Sequence, residues 1–190
     1  PLAQPGLSFT PGWLRQEQRL QVAEEIEAAL GRPDTLEIAL AHLELPAGAR
    51  VGVPAWTFIS SALAAVHNNL HPVLLDVEPD TLNLSPAALE AALTEGLDAV
   101  VAVHFGGVAV DRRVHKLCAD AGVPLIEDAA HALGTSDERG LVGGHGTYAA
   151  CFSFYATKNL TSAEGGAIAT DDAGMAEFAR SHRLHGMSAD

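Results

Sequence analysis

Positive charge is what this sequence has least of. Its 190 residues include 11 Lys plus Arg against 24 Asp plus Glu, a formal net charge of −13. No basic run exceeds the pair Arg112-Arg113. Nucleic-acid binding rests on neutralising phosphates, so this balance argues against nucleic acid as a partner. A small anionic ligand stays open, because it needs only a few local donors. Cysteine is almost absent. Cys118 falls in a helical pattern and Cys151 in an apolar strand pattern, which suits two buried thiols in a reducing, cytoplasmic setting better than a disulfide. No apolar stretch reaches the roughly 18 residues of a membrane span, and no charged-then-apolar segment opens the chain as a secretory signal would. Metal ligands are thin as well. His67 with His71, and His182 with His185, have helix-like spacing but no third ligand nearby, so no metal site is expected.

What is there is enough for a core, since 48% of the residues are hydrophobic. A chain of this length forms one domain with at most an appendage. Residues 1–12 carry Pro and Gly without periodicity. Over 16–30 a helical stripe of Leu20, Val22, Ala23, Ile26, Ala29 and Leu30 ends at Gly31, so 1–33 reads as an arm and a helix. The main domain then covers 34–190. Asp34 followed by Glu37 makes a capping-box-like start for a helix through Leu43. Strands over 51–53, 73–75, 99–103 and 123–128 alternate with helices over 57–70, 85–93 and 111–121. Such alternation predicts an α/β fold with a mostly parallel sheet covered on both faces. After Ala129 come Gly-rich turns, strands over 148–154 and 166–170, and a helix capped by Asp171 or Asp172 that runs through Leu184. Gly143, Gly144 and Gly146 lack the Lys-Ser/Thr of a phosphate loop and read as a turn.

Two residues stand where chemistry is expected. Asp128 closes one apolar strand and Lys158 follows another, and ligands of open α/β sheets bind outside the carboxyl ends of strands. An acid and an amine delivered there suit pyridoxal phosphate: the lysine forms an imine, and the acid keeps the ring nitrogen protonated so that the ring accepts electrons.

Four segments carry a resemblance to a known family. Pro54-Ala-Trp-Thr-Phe58, Pro72-Val-Leu-Leu-Asp-Val77, Glu127-Asp-Ala-Ala-His131, and Ser153-Phe-Tyr-Ala-Thr-Lys158 through Glu164-Gly-Gly166 resemble the DegT/DnrJ/EryC1/StrS aminotransferases. The likeness runs from about Leu36 to Gly186, and the stretch from Lys158 to Gly166 is similar to enzymes making UDP-4-amino-4-deoxy-arabinose. The resemblance implies the three-layer large domain of a fold-type I transferase dependent on pyridoxal 5'-phosphate. It also implies a homodimer that moves an amino group, from glutamate, to a nucleotide-linked keto sugar. By the same resemblance Lys158 forms the internal aldimine and moves the substrate proton, and Asp128 faces the pyridinium nitrogen. His131 lies near the phenolic oxygen, Ser153 contacts the phosphate, Phe58 (with Trp56 as a competitor) lies against the ring, and Asn159 belongs to the lysine loop. Gly165 and Gly166 allow close backbone approach.

The sequence departs from the family in two places. Where relatives carry a strand ending in Ser-Gly-Thr that holds the phosphate, this chain has Leu30-Gly-Arg-Pro-Asp-Thr35. At Asp190 it stops where relatives continue into a smaller carboxy-terminal domain, which is therefore expected to be absent. A truncated or decayed non-catalytic paralogue stands as the alternative to an aminotransferase, and a cyclitol aminotransferase is a narrower variant.

Overall fold

A computed structural model describes residues 21–24, 34–144 and 146–183. Nine strands and five helices follow in order: β1 (Gln21–Glu24), α1 (Thr35–His42), β2 (Arg50–Pro54), α2 (Ser60–His67), β3 (His71–Leu75), α3 (Pro86–Glu95), β4 (Ala99–Val103), α4 (Arg112–Ala121), β5 (Leu125–Asp128), β6 (Ser136–Asp137), β7 (Gly140–Leu141), β8 (Ala149–Ser153), β9 (Gly166–Thr170) and α5 (Ala173–His182). The main sheet has seven strands in the order β1-β9-β8-β5-β4-β2-β3, parallel from β3 through β8, with β9 antiparallel to both of its neighbours, β8 and β1. β6 and β7 form a small separate hairpin that the sequence did not announce.

Strand alternation distributes the core into three layers. Val51, Val53, Val101, Ile126, Cys151 and Ile168 point to one face, where buried residues of α1, α2 and α5 cover them. Val100, Ala102 and Leu125 point to the other, against α3 and α4. β4, apolar at every position, is buried on both faces, as a central parallel strand must be. Cys118 and Cys151 are free and buried in opposite layers.

Helix boundaries follow cap chemistry. The Asp34 side chain accepts from the Leu36 and Glu37 amides and starts α1. Asp172 does the same for α5 through Gly174 and Met175. At Asp34 the capping box is only half made, because the Glu37 carboxylate turns away to pair with His67. α4 starts at Asp111 and ends at Gly122, whose φ of 66° is left-handed.

Two expectations change. Residues 21–24 are not helical but form β1, with Gln21 opposite Thr170 and Glu24 opposite Ala167. Four residues read equally well as extended, and the open edge of β9 offers backbone partners that outweigh a weak helical stripe. The rest of that expected helix, the 1–12 arm and Leu184 lie outside the described residues. α2 begins at Ser60 rather than Thr57, leaving Trp56, Thr57 and Phe58 as a loop.

On β5 the same alternation sends neighbouring carboxylates to opposite faces. Glu127 lies under α4, where its Oε1 accepts from His115 Nε2 at 2.6 Å and sits 3.2 Å from His104 Nε2. Burial alone would raise the Glu127 carboxyl, but the two imidazoles outweigh it and hold it below the usual range. Asp128 faces α1 and α2 instead.

Gly166 sets how closely β9 can approach. A Cβ there would lie 2.8 Å from the Phe152 carbonyl oxygen and 3.0 Å from Thr35 Cγ2. The neighbours are mostly backbone and cannot step aside, so Gly166→Ala should cost about 1–3 kcal/mol. Circular dichroism melts should show the thermal midpoint falling by several degrees.

Candidate active site

A cavity of about 690 Å³ opens at the carboxyl ends of the parallel strands. Its floor is Asp128 and Cys151, one wall is the start of α1 at Asp34, and the opposite wall is the loop carrying Lys158. Trp56 and Phe58 stand at its rim, the latter 77% exposed. The parallel register of β5 on β8, with Asp128 opposite Cys151, brings the two strand ends side by side.

Asp128 is held rigidly. Ser61 Oγ, fully buried on α2, donates to its Oδ2 at 2.8 Å, and the Ala130 amide donates to Oδ1 at 3.2 Å. Thr57 Oγ1 lies 2.8 Å from Ser61 Oγ and completes a short relay from the β2–α2 loop. Lys158 hangs from a loop pinned to β8: its amide donates to Tyr155 O at 2.9 Å, and Phe154 exchanges backbone bonds with Gly165 and Ser162. Lys158 Nζ lies 3.0 Å from His131 Nε2. Burial, with the neighbouring Lys158 cation, keeps the His131 imidazole below its ordinary range against an opposing pull from Asp128. An uncharged ring leaves Nε2 free to accept from the ammonium.

Of the residues singled out from the sequence, Lys158, Asp128, His131, Ser153 and Phe58 all line this cavity. Ser153 Oγ accepts weakly from the Tyr155 amide at 3.4 Å. Asn159 is not in the cavity wall and donates to Leu133 O at 3.3 Å. Sequence reasoning missed Ser61, whose signal was the pair of hydroxyls Ser60-Ser61 opening the otherwise apolar run 62–66 of α2. It also took Asp34 for a cap alone, whereas that cap opens into the cavity. Gly143 and Gly144 lie in a turn after β7.

Asp34 is the unusual group here. Burial pushes its carboxyl up to about 6, with Glu37 and Asp128 adding to the push and the Glu37 and Leu36 amides opposing it.

Comparison with known proteins gives the family and the fold. The model of the DegT/DnrJ/EryC1/StrS aminotransferase family matches residues 32–190, and the chain belongs to that family. Among solved structures it is similar to S. venezuelae DesV in complex with a ketimine intermediate, at 32% identity and TM-score 0.80, covering 89% of this chain and 44% of that one. It resembles 3-amino-5-hydroxybenzoic acid synthase at 39% identity and TM-score 0.76, over 82% of this chain and 41% of that one. A third is NtdA from Bacillus subtilis with bound cofactor PMP, at 26% identity and TM-score 0.74, covering 84% and 35% respectively. The chain thus spans less than half the length of each. Among the described residues no helix is long and apolar enough to cross a membrane.

The titration of Asp34 has a measurable sign. An unfolded aspartate releases its proton near 3.9, whereas the folded chain holds this one to about 6. Stability contributed at Asp34 is therefore present below pH 4 and lost as pH rises through 6. Asp34→Asn keeps a capping oxygen and removes the charge. In urea unfolding its stability relative to the wild type should rise by about 1–3 kcal/mol between pH 4 and pH 7.

Proposed function

We propose that this chain is the cofactor-binding part of a pyridoxal phosphate-dependent aminotransferase that passes an amino group, from glutamate, to a nucleotide-linked keto sugar. The observation that carries the reading is one cavity in which Lys158, paired with His131, faces an Asp128 fixed by Ser61. Family membership and the sugar-aminotransferase neighbours, CalS13 from Micromonospora echinospora among them, support the amino-transfer class.

These residues fit the ring of the cofactor. When bound, pyridoxal phosphate supplies an electron sink that stabilises negative charge on the substrate carbon. Asp128 would hold a proton on the ring nitrogen, and its anchoring by Ser61 and Ala130 keeps its charge in place throughout. Lys158 would bind the aldehyde end and then carry a proton at the substrate carbon. His131 accepts from Lys158 and so orients the amine toward the cavity. Phe58 and Trp56 would cover the ring face and exclude water, and Ser153 would donate to the phosphate. A second copy of the chain would cover the exposed apolar rim of Trp56, Phe58 and Ile59, giving a homodimer. A non-catalytic fragment is the second reading, favoured by one observation: the Leu36 and Glu37 amides at the start of α1 are already taken by Asp34.

Titration with pyridoxal phosphate followed by borohydride should leave one reduced adduct, mapped by peptide mass spectrometry to Lys158. Lys158→Ala should lose both the adduct and its visible absorbance. An adduct elsewhere, or one undiminished in the variant, would remove Lys158 from its assigned role.

A further inference from the structure

Among the described residues that line the cavity, the balance of charge does not suit a phosphate. Asp34, Asp128 and Glu164 line it against Lys158, the one Lys or Arg in its described wall. A helix start is a ready anion site because its first amides lack partners within the helix. In α1 two of those donors are held: the Leu36 amide is 2.7 Å and the Glu37 amide 3.0 Å from Asp34 Oδ1. We propose that Asp34 is a built-in anion competing for these amides, so that the pocket discriminates against phosphate-bearing ligands until this carboxylate is neutralised or displaced. The inference rests on the reading of the pocket given above and concerns its selectivity.

Among the described residues, little else around Asp34 balances its charge. Glu37, on its own helix, is taken up by His67. From the sheet side it meets Asp128 and the buried Cys151 thiol, which the nearby carboxylates help to push up after burial itself. From the far wall come Lys158, held beside His131, and Glu164. A phosphate placed at the α1 start would thus add negative charge beside two aspartates, in a site where solvent screens poorly. Burial first, with Glu37 and Asp128 adding to it, raises the Asp34 carboxyl, so the folded site disfavours negative charge at this position. A neutral aldehyde such as pyridoxal, which lacks the phosphate, would meet none of this.

The test compares pyridoxal phosphate with pyridoxal on wild type and Asp34→Asn, reading dissociation constants from absorbance and borohydride capture at pH 5.5 and pH 8. Phosphate itself titrates near pH 6, so variant and wild type are compared at equal pH, which cancels that term. Asp34→Asn should tighten pyridoxal phosphate by at least about tenfold at pH 8 and by less at pH 5.5, leaving pyridoxal within about twofold. In the same variant, inorganic phosphate should shift the Leu36 and Glu37 amide resonances more strongly than in the wild type. Equal gains for both ligands, or a loss for pyridoxal phosphate, would overturn the inference while leaving the reading of the pocket intact. No adduct from either ligand in either protein would overturn both. Should Asp34→Asn fail to fold, Asp34→Ser retains a capping oxygen without charge and must give the same pattern.

Discussion

The site depends on one piece of backbone pairing, the parallel register of β5 on β8. Asp128 and Cys151 face each other across it, and from there β8 runs on into the loop that carries Lys158. Shifting the register by one residue would send Asp128 toward α4 and Glu127 toward the cavity. The buried contacts of Glu127 with His104 and His115 guard against that slip. They secure the chemical face of the strand from behind, and His104 also reaches the cavity wall.

On the cavity side, rigidity is bought with hydroxyls and amides instead of cations. Ser61, Thr57 and the Ala130 amide hold Asp128, and two helix amides hold Asp34. Neutral donors fix a carboxylate's position without cancelling its charge. The pocket therefore presents fixed negative charge to whatever enters, with Lys158 as the counterweight. That balance matches the composition of the chain, whose acidic excess runs through the site as well as the surface.

Much of this was legible in the sequence, for reasons that can be named. The run from Ala99 to Val103 is apolar at each position, and only a strand buried on both faces uses such a run. Asp34 was readable as a cap, and the last helix as capped by Asp171 or Asp172, because side-chain acceptance of helix amides is a local matter. Lys158 and Asp128 were readable because strand ends have a fixed relation to ligands in this architecture. What escaped depended on distant partners. Whether Ser60 or Ser61 faces the sheet turns on where α2 starts, and that start is three residues later than the pattern suggested. The strand at 21–24 exists because β9 offers an edge, which no local window contains. That the Asp34 cap shares a cavity with Lys158 is likewise a fact of assembly.

The pairing of β1 with β9 has a consequence for how the chain is made. β1 comes before every other described element, yet the strand it lies on is the last of the described strands. During synthesis from the amino end, β1 must wait unpaired while the six other strands of its sheet emerge. Its contact with β9 closes the longest loop in the sheet, and long loops are the slowest to close. The β8–β9 pairing that braces the lysine loop needs the same late strand. A nascent chain would therefore acquire its sheet edge and its braced lysine together, once β9 has emerged.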